Sequence, residues 1–170
     1  MNKLLVPIDV SCDYDFIIET AKKFAKAFKS EIRIINIVPP LPLEIRNRLE
    51  VNSVSTLGDM VGRLINSNTY DDIRDEMARN LKSVHKKILD IKKRLTAENL
   101  SVEAYIFEGK MEESILEEVA EYKPDMVIMS SEGHGHRFKS MAGGVYSTIV
   151  KNVNCPVLVV PKNKSNKKTK

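Results

Sequence analysis

The stretch DMVIMSSEGHGHRFKSMAGGVYSTIVKNVNCPVLVVP, residues 125 to 161, decides the fold. DMVIMSS (125–131) and CPVLVVP (155–161) are apolar runs of strand length. VYSTIVKNV between them sets Val145, Ile149 and Val153 four residues apart, which is helical spacing. Strand, helix, strand is the unit from which parallel sheets are built.

The same alternation extends back to the N-terminus. KLLVPIDV (3–10) reads as a buried strand feeding a helix, in which Phe16, Ile17, Ala21, Phe24, Ala25 and Phe28 form the apolar face and Asp13 supplies the N-cap. EIRIINIV (31–38) is a second strand, stopped by the prolines of PPLP. SVEAYIFEGK (101–110) is a third, followed by the helix MEESILEEVAEY with Met111, Ile115, Val119 and Tyr122 inward. From Tyr70 to Glu98 a stripe of Ile73, Met77, Leu81, Val84, Ile88, Ile91 and Leu95 predicts a long helix that packs on the sheet rather than in a coiled coil, with His85 beside the stripe in a structural role. Between Pro39 and Asn68 the pattern is weak, apart from a short helix carrying Leu57, Met60, Val61, Leu64 and Ile65. Residues 39–68 are expected to be an insertion that serves as a lid or partner surface. The whole predicts an α/β fold: an open five-stranded parallel sheet, helices on both faces, right-handed crossovers.

Composition agrees with one soluble domain over 1–161. Of the 170 residues, 42% are apolar and 29% charged, with no run of membrane-spanning length. Pro7 and Asp9 interrupt the only N-terminal apolar run, so no export signal is read. Cys12 and Cys155 are too few for a disulfide framework, and a reducing cytoplasm is expected. The net charge of +4 comes from the tail KNKSNKKTK (162–170), whose five lysines removed leave 22 basic against 23 acidic residues. That tail is expected to be disordered and solubilising, with no specific nucleic-acid partner.

The loop after the fourth strand is where an open parallel sheet binds ligands. Residues 130–147 hold four glycines, and Gly143 and Gly144 stand where the last helix begins, so free N–H groups and the helix dipole favour an anion. Phosphate is the natural guest. A Walker loop is excluded because Lys139-Ser140 follows Phe138, and the dinucleotide fingerprint fails because Phe138 stands where glycine is required. A metal held by His134, His136 and Glu132 is the weaker alternative. Arg137 and Lys139 are placed to neutralise phosphate or simply to be solvated.

VPIDVS, VIMSSEG, the nine-residue loop, GGVYSTIVKNV and CPVLVVP occur in the order seen in universal stress proteins, and the chain resembles that family over nearly its whole length. The resemblance implies the Rossmann-like fold of the adenine nucleotide alpha hydrolases. It also implies an ATP site, any Mg or Mn being carried by the phosphates. Nucleotide-binding members have Gly-x2-Gly-x9-Gly-[Ser/Thr]; here the spacing is kept, with Ser130, Gly133, Gly143 and Gly144 at the four positions. Gly144 lacks the usual hydroxyl, a loss of roughly 0.5 to 1.5 kcal/mol, and Ser130 costs about 1 kcal/mol if its position needs positive φ. Against the ~8 kcal/mol of a micromolar complex, binding is weakened but retained. By matching position Pro7 and Asp9 would flank base and ribose, Ile37 would meet adenine, and Val145 would follow the glycine pair at the phosphates. Asp9 reads equally well as a helix cap.

No nucleophile, base and orienting group assemble, so dedicated catalysis is not expected beyond slow ATP hydrolysis. The leading expectation is an ATP-binding stress or regulatory module that dimerises through an edge strand of Val157, Leu158, Val159 and Val160. The alternatives are a nucleotide-independent member working through dimerisation and partner binding, and an enzyme of nucleotide alpha-phosphate chemistry that depends on Asp9.

Overall fold

The computed structural model describes residues 1–40, 57–131 and 144–161, with 57–74 described by backbone alone. In chain order the elements are β1 (Lys3–Ile8), α1 (Asp15–Phe28), β2 (Glu31–Val38), α2 (Leu57–Ala97), β3 (Val102–Glu108), α3 (Met111–Tyr122), β4 (Met126–Ser130), α4 (Gly144–Asn152) and β5 (Val157–Val160). The five strands form one parallel sheet in the order β3-β2-β1-β4-β5. This is the α/β architecture expected from the alternating pattern.

Alternate residues of a strand face opposite sides, so a central strand covered twice must be apolar throughout. In β1, Leu4, Val6 and Ile8 join Ile32 and Ile34 of β2 beneath α1 and α2. Leu5 of β1, Ile35 and Ile37 of β2, and Val127 and Met129 of β4 pack beneath α3 and α4. Each fully buried side chain of this kind stabilises the fold by about 1.5–3 kcal/mol.

Several local expectations are corrected. Asp13 does not cap α1: the N-cap is Tyr14, with no side-chain capping bond. The short helix expected around Leu57 and the long one from Tyr70 are a single α2 of 41 residues, which takes in 57–68 of the expected insertion, while 41–56 lie outside the described residues. Among the described side chains of its stripe, Ile88, Ile91 and Leu95 are buried, whereas Leu81 is 52% exposed. His85 is exposed as well. On α1, Phe28 lies half in solvent while Ile18, left off the expected face, is fully buried. On α3, Val119 is half-buried and its neighbour Glu118 is buried instead.

Glu118 is buried because it has a partner. Arg33 of β2 reaches it and Glu103 of β3, and the guanidinium lies 3.8 Å from the Tyr122 ring centroid. The Tyr122 hydroxyl donates to Glu31 at 2.9 Å. Burial, and then this bond to a carboxylate, push the Tyr122 phenol above its ordinary pKa.

Candidate functional site

The chain leaves β1 for β2 and β3 on one side, then returns to lay β4 on the other side of β1. Crossovers diverge to opposite faces at that point, and the carboxyl ends of β1 and β4 flank the crevice. Sequence assists the parting. Pro7 has no N–H to give a neighbour, and the β1–β4 ladder pairs Leu4 with Met126 and Leu5 with Val127, at the amino ends of both strands.

Pro7 lies buried in β1, opposite Ile35 of β2. Asp9 is the residue after β1 and is half-buried. Ile37, 7% exposed, is next to last in β2, and Ser130 ends β4, paired with Val160. Gly144 opens α4, and a helix that runs back to a parallel β5 starts at the carboxyl edge. Val145 is buried in the core beneath α3 and α4, leaving its backbone as the part able to face a ligand. Topology thus brings Pro7, Asp9, Ile37, Ser130, Gly144 and Val145 to one end of the sheet. Gly133 and Gly143 lie outside the described residues, as do Glu132, His134, His136, Arg137 and Lys139. Among the described residues no group of three or more His, Cys, Asp or Glu could hold a metal.

Asp9 closes a tight turn. Its carboxylate accepts the Ser11 N–H at 2.9 Å and the Ser11 hydroxyl at 2.6 Å, and its carbonyl accepts the Cys12 N–H at 3.1 Å. The Cys12 thiol donates to the other carboxylate oxygen at 3.5 Å. With α1 starting only at Asp15, this carboxylate organises the turn and is not a helix cap. Cys12 and Cys155 form no disulfide, and burial raises the Cys155 pKa.

Two further residues reach this turn that the sequence pattern had not singled out. Asn36 of β2 accepts the Val10 N–H through Oδ1 at 3.1 Å, and Lys87 of α2 donates to the Val10 carbonyl at 2.9 Å. An amide in the otherwise apolar IINIV was a usable signal; one lysine among many was not.

Among the described residues no helix is long and apolar enough to cross a membrane. The profile of the Universal stress protein family matches residues 1–161. Universal stress protein MJ0577 of Methanocaldococcus jannaschii is 23% identical over 165 residues, covering 96% of this chain and 97% of that protein. The solved structure of hypothetical protein MJ0577 superposes with a TM-score of 0.66 at 22% identity, over 96% of this chain and 98% of that one. A universal stress protein solved in complex with cAMP gives 0.58 at 13% identity, over 95% and 98% of the two chains. A family member from Arabidopsis thaliana with AMP bound gives 0.53 at 18% identity, over 99% and 97%. At these identities the likenesses establish the fold.

Proposed function

The chain belongs to the universal stress protein family, and we propose that it is an adenine-nucleotide-binding regulatory module of that family, with ATP as its ligand. The observation that carries the reading is the convergence of Pro7, Asp9, Ile37, Ser130 and the start of α4 on the switch point between β1 and β4. In this reading Pro7 and Ile37 bound the adenine, Asp9 meets the ribose, and backbone N–H groups at Gly133, Gly143, Gly144 and Val145 take the phosphates, with Ser130 beside them. Magnesium or manganese would arrive with the phosphates and supply charge neutralisation. Two fold relatives, one holding cAMP and one AMP, support the ligand class.

Titration calorimetry on nucleotide-stripped protein with magnesium tests the proposal. Saturable heat with ATP is expected; no heat and no thermal shift at millimolar ATP, ADP or AMP overturns it.

A second reading, a nucleotide-independent module, is favoured by one observation: Ser11 already occupies an Asp9 carboxylate oxygen through both its N–H and its hydroxyl. It predicts partner capture that depends on residues 39–68 and is indifferent to ATP.

In either reading the protein is a cytoplasmic homodimer. β5, all apolar, is a half-exposed sheet edge, and on neighbouring α4 Val150 is 51% exposed. Light scattering at high micromolar concentration should give twice the 19.3 kDa chain mass.

A further inference from the structure

Val10 is held at both ends of its own backbone: Asn36 Oδ1 takes its N–H in a buried bond, and Lys87 Nζ donates to its carbonyl. Asn36 is 3% exposed, one of only three buried polar or charged residues among those described. Lys87 comes from a different layer, the long helix that covers one face of the sheet. Lys87 is exposed as a residue, so fixing its long, flexible chain in a part-buried bond carries an entropic cost that remaining in water would avoid. Here that chain is directed at the carbonyl of the residue after Asp9.

We propose that Asn36 and Lys87 are positioning residues for the nucleotide site, setting the direction in which Asp9 leaves β1 by gripping the adjoining residue. The proposal rests on the nucleotide reading above for its ligand, though not for its geometry. The two bonds fix Val10, while Ser11 and Cys12 close the turn onto the Asp9 carboxylate. Lys87 acts through the Val10 carbonyl, not on the phosphates. Its effect is therefore the same for every ligand that uses Asp9, however many phosphates follow.

Two measurements on Lys87→Met and Lys87→Arg in the full chain test this. The first needs no nucleotide: alkylation of Cys12, followed by mass spectrometry, with Cys155 of the same molecule as internal control. Lys87→Met should raise the Cys12 rate several-fold and leave Cys155 unchanged, and Lys87→Arg should restore the slow rate. A Cys12 rate indifferent to both substitutions overturns the proposal. The second compares adenosine, AMP and ATP affinities. Lys87→Met should weaken all three by about the same factor, roughly fivefold for one hydrogen bond. A loss that grows with the number of phosphates overturns it by making Lys87 a phosphate ligand. Asn36→Ala should reproduce the Cys12 acceleration, and failure to do so removes Asn36 from the role. If the unaltered protein binds no nucleotide, the functional reading falls, and the cysteine measurement still decides the positioning.

Discussion

Nη1 of Arg33 on β2 lies 2.7 Å from Oε1 of Glu118 on α3, joining the sheet to the helix above it through a carboxylate that is only 6% exposed. Burial opposes the guanidinium charge, but hydrogen bonds to Glu118 and Glu103 outweigh it and raise the Arg33 pKa above its already high ordinary value. Arg33→Met would leave Glu118 charged and unpaired beneath α3, a loss of about 3–5 kcal/mol in urea unfolding. Adding Glu118→Leu should recover most of it, because the pair as a whole gains little over apolar packing.

Asp125, just before β4, accepts the backbone N–H groups of Asn2 and Lys3 through Oδ2. Those bonds hold its carboxyl below the usual aspartate pKa. A depressed folded-state pKa adds stability that is complete above the unfolded value and is lost as pH falls through the folded one. Asp125→Ala should therefore be less stable than the parent by a constant margin from pH 5 to 8. That margin should shrink below roughly pH 4, the unfolded aspartate range. Thermal melts across pH check it.

Helices α1 and α3 both end on a lysine in the left-handed region, Lys29 at φ 54° and Lys123 at φ 52°. Each donates its N–H back to the helix, to Ala25 and Val119 respectively, so the conformation is needed while the Cβ is not. Lys29→Gly and Lys123→Gly should each stabilise by up to about 1 kcal/mol, since glycine reaches this region without steric cost. Chemical denaturation of the single and double variants measures it, and the two distant sites should add.

Gly144 opens α4 at the position where nucleotide-binding relatives are expected to carry a hydroxyl. Gly144→Ser should tighten ATP several-fold, the value of one hydrogen bond of roughly 0.5–1.5 kcal/mol, in a calorimetric titration. Unchanged affinity would place the phosphates away from this helix start.

The fold was legible because the strands are short, largely apolar runs alternating with helical segments, a pattern that calls for helices on both faces of a parallel sheet. Helix limits were less so. Asp13 has the chemistry of a cap, but the turn built on Asp9 carries the chain past it before α1 begins. The stripe from Ile73 to Leu95 keeps one spacing throughout, yet Leu81 is half in water and Ile88 is 2% exposed, because the pattern does not record where the sheet beneath it stops. Glu118 was unreadable for the opposite reason: its burial depends on Arg33, 85 residues away. At the site, the order of strands puts Asp9 and Ser130 at the carboxyl ends of neighbouring β1 and β4. The grip of Asn36 and Lys87 on Val10 joins three segments with no common pattern.

The 41 residues of α2 also have a mechanical consequence. At 1.5 Å per residue the helix is about 60 Å long, while an eight-residue strand spans about 26 Å. Some 45 Å of that rod precedes Lys87. A tilt of 5° about that point would swing the distant tip by roughly 4 Å.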